Sequence, residues 1–363
     1  MPFDNLRLAS FRNLEDGEVD ISAERIFLIG ENGQGKTNFL EALYYLSYGS
    51  SFRGAVDGEA PRHGEKAFCL SAQVRADFDT SLPPDEIRID CEKGKKEIRR
   101  SGKRVLDRKE LVELNPSVVF CHEDFSFAAG EPERRRFFFD QTAGIVSPSY
   151  IDSLRLYKRV LKQRNAALKD RRLALLDLLD EQLAVHGQAL SAERARLGTA
   201  LAPGFTDLYG RVSLLGRPVE LLYKPSWPLD LDLDGLRSRL EERRPDDLAF
   251  GSSLSGPHRD RWVFRSADRD FTATASTGQL RLLSLVLRSL QAQYYTESTG
   301  RKPILLFDDV LLELDPDRRK RFFSTIPQAS QAFFTFLPGE PWEDYRSDSI
   351  LVYRVDHGRR LAD

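Results

Sequence analysis

Gly30-Glu31-Asn32-Gly33-Gln34-Gly35-Lys36-Thr37 is the stretch on which the reading of this chain turns. It fits G-x-x-x-x-G-K-[ST], whose glycines let successive backbone N–H groups point inward at phosphate oxygens. The apolar run Arg25-Ile26-Phe27-Leu28-Ile29 precedes it and a helix-forming stretch, Asn38–Ser47, follows. That order aims a helix N-terminus, with its partial positive charge, at the phosphates, which an ordinary glycine-rich turn does not. The spacing predicts ATP held by Gly30, Glu31, Asn32, Gly33, Gln34, Gly35, Lys36, Thr37 and Asn38. Lys36 would reach the terminal phosphates, and Thr37 would bind Mg2+.

Around this loop, 363 residues with 41% hydrophobic content can fill a sizeable core. Charged residues reach 30% but nearly cancel to a net charge of -2, which excludes a uniformly basic, histone-like protein and permits local basic surfaces. No apolar run approaches the roughly 18 residues of a membrane span, and Met1-Pro2-Phe3-Asp4 lacks the features of a secretory signal. A cytoplasmic protein without a membrane partner is expected. Cys69, Cys91 and Cys121 lack the paired spacing of a zinc site or disulfide framework, and five scattered histidines suggest no metal cluster.

Leu6-Arg7-Leu8 and Arg25–Ile29 read as strands, and from Phe68 to Asp107 short alternating runs such as Glu86–Cys91, broken by Gly94 and Gly102, read as hairpins. From Pro148 the texture changes: Leu154, Tyr157, Leu161, Leu168, Leu175 and Leu179 keep helical spacing, as a long helix or helical hairpin. Pro203, Pro218, Pro225, Pro228 and Pro245 then punctuate a more irregular stretch before a helix from Leu280 to Gln293.

Three further elements carry chemistry. Ile304-Leu305-Leu306-Phe307 is a buried-strand run ending in Asp308-Asp309. Asp308 would hold Mg2+ with Thr37, and Asp309 would polarise the attacking water; with Lys36 these two make the catalytic set. Alone, a pair of acids after a strand is common turn chemistry. Ser276-Thr277-Gly278-Gln279 opens a helix and can act either as an anion site or as a plain N-cap. Glu313-Leu314-Asp315 precedes a helix begun by Pro316.

In this order the elements resemble the ATPase head shared by ABC-type, SMC and Rad50 proteins. That resemblance implies an α/β fold of mixed sheets around the phosphate loop, plus a helical lobe bearing a short arm. The lobes would be 1–120 with 302–363, and 121–301, the arm covering about 147–245. A transporter ATPase would normally have a shorter middle and a Leu-Ser-Gly-Gly-Gln signature, and an SMC chain would insert a long coiled coil. Ser10–Leu14, Gly33–Ala42, Ser51-Phe52-Arg53, Arg134–Phe137, Tyr157–Asn165, Gly256-Pro257-His258-Arg259-Asp260 and Phe307–Val310 are similar to the RecF family of bacterial recombination mediators. His122, Arg261 and Leu280 depart from that family's usual residues, and Thr335 stands where transporter ATPases place a switch histidine.

The resemblance implies further nucleotide contacts from Arg12, Ser276, Gly278, Gln279 and Asp315. Because the signature and the phosphate loop lie on opposite faces of such heads, it also implies a homodimer closed by ATP, slow DNA-stimulated hydrolysis, and a role in recombinational gap repair with RecR and RecO. Basic residues gather in Lys93–Lys109 and Arg155–Arg172. Arg99, Arg100, Lys103 and Arg104 in the first, and Lys158, Arg159, Lys162 and Arg164 in the second, are the candidate DNA contacts, although charge runs are often merely solvated faces. No aromatic interleaving marks single-strand stacking, so duplex, gapped or junction DNA is favoured. The alternatives are a nucleotide-gated DNA scaffold of negligible turnover and a transporter-type ATPase subunit.

Overall fold

Five strands lie side by side and parallel in the order Ile350–Asp356, Arg25–Ile29, Gln331–Phe336, Ile304–Phe307, Ser117–Phe120, with Arg359–Ala362 antiparallel on the first edge. The computed structural model describes residues 2–75, 84–345 and 350–362. Residues 76–83, within the stretch read as hairpins, and 346–349 lie outside the described residues. Two compact units are present: residues 1–124 with 287–363, and residues 125–286.

In the first unit, near-continuous apolar runs such as Ile304-Leu305-Leu306-Phe307 form strands buried on both faces. One face of the parallel sheet offers Ile26, Leu28, Leu306 and Phe333 to the helix Lys36–Tyr48, whose Phe39, Leu40, Leu43 and Leu46 enter the same core. The antiparallel sheet, ordered Gly17–Asp20, Phe3–Ala9, Ala67–Val74, Asp85–Glu92, Lys95–Arg100, Lys103–Arg104, closes that core with Leu6, Leu8, Phe68, Leu70, Ile87 and Ile89. Alternation along its strands leaves the opposite residues polar and half-exposed or exposed. Buried Gln331 ties the sheets: its side chain accepts from the Phe3 N–H (3.0 Å) and donates to the carbonyls of Phe3 (3.0 Å) and Ala23 (3.0 Å).

On the other face of the parallel sheet, Phe120, Phe307, Phe334 and Phe27 stand at one level on four adjacent strands. Phe120 stacks on Phe307 (4.2 Å between ring centroids) and Phe307 on Phe334 (4.5 Å). Such pairs contribute about 0.5–1.5 kcal/mol each beyond burial. The row lies one residue before Asp308, so it fixes the strand end that carries the acids.

The second unit is helical around the three-stranded sheet Arg269–Asp270, Arg261–Ser266, Glu220–Lys224. Pro148–Lys169 and Leu176–Ser213 form a helical hairpin, one of the two forms that the leucine spacing allowed. Pro203, read as a breaker, lies inside the second of these helices. An interior proline costs about 3 kcal/mol, and here burial of Leu197, Leu201, Phe205 and Leu208 outweighs it. Gly187 lets Trp227 lie against the same helix, because a Cβ there would come within 2.3 Å of the indole ring.

Candidate functional site

The carboxyl ends of the parallel strands meet at one edge, the usual ligand crevice of such sheets. Arg25–Ile29 runs into the phosphate loop at this edge, Ile304–Phe307 into Asp308-Asp309, and Gln331–Phe336 brings Thr335. The adjoining loops are tied together: Gly30 N–H donates to Phe336 O (3.1 Å), and Asp308 N–H to Phe120 O (2.9 Å).

Gly35 caps the helix at φ 117, in the region that favours glycine, and a Cβ there would come within 2.9 Å of Asn13 Oδ1. Lys36 is buried, its Nζ donating to the carbonyls of Gly30 (2.7 Å) and Glu31 (3.2 Å) and lying 3.9 Å from Asp309 Oδ2. Thr37 Oγ1 donates to Asp308 Oδ1 (2.7 Å). Burial pushes the Asp308 carboxyl up to about 6; the Thr37 bond opposes this, and the charges of Asp309 and Glu123 add to it. A desolvated carboxylate beside a hydroxyl is a hard oxygen pair that fits Mg2+, which would relieve the cost of holding that charge there.

Asp309 adopts φ 53 and is held by Thr335. Its N–H donates to Thr335 Oγ1 (2.8 Å), and that hydroxyl donates to Asp309 Oδ1 (2.6 Å). Thr335 therefore orients the second acid.

Two supports of the loop are not readable from its motif. At the C-terminal hairpin tip, His357 N–H donates to Gln34 Oε1 (2.6 Å) and Gly358 N–H to Gln34 O (2.8 Å). From the N-terminal side, Asn13 Nδ2 donates to Gly33 O (3.2 Å), and Asn38 bridges Asn13 (2.8 Å) to Arg53 (2.7 Å). The hub is Glu41, fully buried one helical turn beyond Thr37, which accepts from Arg12, Arg53 and Ser51. Burial alone would push this carboxyl up; the bonds from Arg12, Arg53 and Ser51 overcome it and hold the pKa below the ordinary value. A glutamate amid the apolar residues of Phe39–Tyr45 was the available sequence signal.

Arg12, expected at the nucleotide, gives Nε (2.9 Å) and Nη2 (2.8 Å) to Glu41 and Nη1 to Glu59 O (2.6 Å), so three of its five N–H groups brace the loop. Asp315 caps the helix Pro316–Phe323, accepting from Arg318 N–H (2.9 Å). In the second unit, Ser276 and Gln279 form a reciprocal capping box around Thr277 and Gly278: Gln279 N–H donates to Ser276 Oγ (3.3 Å), and Ser276 N–H to Gln279 Oε1 (2.8 Å).

The basic segments divide. Register across the antiparallel sheet aligns Arg7, Ser71, Arg88, Arg99 and Arg104 in one row on the polar face. Like charges directly opposite one another repel. Three of these arginines offset it by pairing with acids, Arg7 with Glu18 directly opposite it (2.9 Å), and Arg88 with Asp90 (2.8 Å) and Arg99 with Glu97 (3.1 Å) beside the row. Their side chains remain about half exposed. Arg100 pairs with Asp85 (2.5 Å), and Lys103 is exposed.

On the arm, Lys158, Arg159 and Lys162 are exposed, but Arg164 is not. Its guanidinium is wholly buried, donating to Asp180 (2.5 Å), Asp247 (2.6 Å) and Ser253 (2.8 Å). Helical spacing points it inward, and its assignment as a DNA contact is withdrawn. The Gly256–Asp260 run is buried chemistry of the same kind: Asp260 accepts from Arg194 (2.8 Å), Tyr223 (2.6 Å) and Ser226 N–H (2.8 Å).

The model of the RecF/RecN/SMC N terminal domain family matches residues 3–354. A DNA replication and repair protein RecF from Treponema pallidum is 42% identical over 351 residues, covering 96% of this chain and 98% of that protein. Its namesake from Heliobacterium modesticaldum is 33% identical, covering 99% of this chain and 98% of that one. Among solved structures, the recombination mediator protein RecF-ATP of the RecFOR pathway superposes with a TM-score of 0.87 at 27% identity, over 99% of this chain and 97% of that one. An Smc head bound to the C-winged helix domain of ScpA, at 16% identity and a TM-score of 0.61 over 99% and 96% of the two chains, shares the fold. No helix among the described residues is long and apolar enough to cross a membrane.

Proposed function

The chain belongs to the RecF family, and from that membership we propose that it is an ATP-binding DNA repair protein whose nucleotide pairs two copies of the chain on duplex or gapped DNA. The observation that carries the reading is the convergence of Lys36, Thr37, Asp308 and Asp309 at the carboxyl edge of one parallel sheet.

The backbone N–H groups of residues 33–37 and the helix dipole behind them bind the phosphates, and Lys36 neutralises the terminal ones. Thr37 and Asp308 would hold Mg2+, which would supply charge neutralisation to the phosphates. Asp309, oriented by Thr335, polarises the attacking water. Aspartate is one methylene shorter than the glutamate usual in such heads, and one of its oxygens is already engaged, which favours slow turnover.

Ser276, Gly278, Gln279 and Asp315 complete the nucleotide site of a second copy, giving an isologous dimer. Pairing joins two sets of basic surface: Arg99 and Arg104 in the arginine row, Arg100 and Lys103 beside them, and Lys158, Arg159 and Lys162 on the arm. Avidity follows from that doubling, and hydrolysis releases it. Membership of the family supports a cytoplasmic protein that works at single-strand gaps beside RecR- and RecO-type partners.

The engaged oxygen of Asp309 also favours a second reading, a nucleotide-gated scaffold without useful turnover. Phosphate release, measured with and without duplex DNA, separates the two. The enzyme reading expects release several-fold above a Lys36→Ala control and raised by DNA. Release no greater than that control leaves only the scaffold.

A further inference from the structure

We propose that Asn32-Gly33, inside the phosphate loop, is a site of spontaneous deamidation that bound nucleotide suppresses, so that the chain loses ATP binding with age unless its loop is occupied. The sequence holds six asparagines, and only Asn32 precedes a glycine; the others precede Leu6, Leu14, Phe39, Pro116 and Ala166. Asparagine is a thermolabile residue. Its side-chain amide is lost fastest before glycine, because the attacking backbone nitrogen is then unhindered by a Cβ on the following residue.

Both reacting groups are accessible. Asn32 and Gly33 are exposed, and a Cβ added at Gly33 would meet nothing within 4 Å, which leaves room for a five-membered ring. Gly33 stands at φ 79 in the turn from Glu31 to Gln34, closed by a long bond from Gln34 N–H to Glu31 O (3.4 Å). With that φ at its third residue the turn is type II, which holds the Gly33 nitrogen away from the Asn32 side chain. Rotation of the Asn32–Gly33 peptide plane brings the two together. Among the described residues, the Asn32 carbonyl, the Asn32 side chain and the Gly33 N–H make no hydrogen bond, so none of these groups holds the plane in place. Asn13 Nδ2 fastens only the next plane, through Gly33 O (3.2 Å). Glycine accepts the φ on either side of the rotation.

The chemistry needs water and no oxidant. Gly33 N gives its proton to a solvent base and bonds to Asn32 Cγ; the Cγ–Nδ2 bond breaks, ammonia leaves, and a succinimide closes. Water then opens the ring. Attack at Cγ leaves aspartate, and attack at the backbone carbonyl carbon leaves isoaspartate, with the main chain routed through Cβ. Either product puts a carboxylate into a loop whose N–H groups bind anions, and isoaspartate also lengthens the turn by one bond. Bound ATP blocks the first step, because a Gly33 N–H that donates to a phosphate oxygen can neither rotate nor attack. That suppression rests on the proposed nucleotide site, whereas the cyclisation does not.

The test ages the full-length chain in mildly alkaline buffer, alone or with a non-hydrolysable ATP analogue and Mg2+. Mass spectrometry follows the tryptic peptide Ile26–Lys36, and affinity for the analogue is measured on the same samples. Asn32 should convert at least tenfold faster than Asn5 or Asn165, the analogue should slow it at least fivefold, and lost affinity should track conversion. Asn32→Asp should bind ATP at least tenfold more weakly than the parent chain. Conversion no faster than at the other asparagines, or parent-like ATP affinity in Asn32→Asp, overturns the proposal. So does equal conversion with and without the analogue in a chain that binds it. A fresh parent chain that never binds the analogue contradicts the nucleotide site itself and takes the suppression with it, whatever the conversion rate.

Discussion

Thr335 is the residue whose role the geometry sharpens most. It stands where a switch histidine would sense the γ-phosphate, but its hydroxyl is committed to Asp309. Thr335→Val should therefore reduce phosphate release about tenfold, roughly 1.4 kcal/mol, while nucleotide affinity stays within twofold. A loss of affinity with turnover intact would return Thr335 to phosphate sensing. Glu41 belongs to the same scale. Glu41→Ala leaves Arg12 and Arg53 without their buried partner, and urea unfolding should show a loss of about 3–5 kcal/mol. His258 gives a pH dependence. Its Nε2–H donates to Ser253 O (3.0 Å), so Nδ1 accepts from the Tyr157 hydroxyl (2.7 Å). Burial, aided by nearby Arg259 and Arg136, pulls its pKa down to about 4. As pH falls the unfolded chain takes this proton first. The His258 contribution is thus fully present above about pH 6.5 and lost toward pH 4, on the order of 3 kcal/mol. His258→Gln should flatten that limb of the stability curve; an unchanged limb would assign it to other groups.

At the scale of elements, the strand and helix around the phosphate loop and the strand before Asp308 were legible in the sequence, because apolar runs ended by a glycine-rich or acidic turn have few other readings. The helical character of the arm was legible from its leucine spacing, which left a single long helix and a hairpin equally open. What was not legible depends on which way a charged side chain faces. Arg164 and Lys162 lie two residues apart in one basic run, yet one is buried between carboxylates and the other is in water. The partners, Asp180 and Asp247, come from elements whose approach no local pattern encodes. Pro203 teaches the same about helices: packing of a long apolar face overrode a local breaker. The arginine row likewise depends on register, invisible before strand pairing is known. Charge reversal at Arg99 and Arg104 together should lower duplex affinity and flatten its log–log salt dependence by about 2. An unchanged slope would remove the row from the DNA surface. Arg164→Ala, by contrast, should cost about 3–5 kcal/mol of stability and leave the DNA affinity of the folded fraction unaltered.

For the whole molecule, one chain supplies one phosphate loop and one serine-glycine-glutamine helix start, and these belong to different compact units. With bound ATP proposed as a bond between two copies, DNA affinity, nucleotide occupancy and mass should rise together by linkage. The measurement that tests this most directly is sedimentation mass against ATP with Mg2+, using Asp309→Asn to slow hydrolysis. The mass should shift from 41.4 kDa to twice that value as ATP saturates, and Ser276→Arg should abolish the shift in a chain that still binds ATP. A mass that stays at 41.4 kDa through saturation would contradict it.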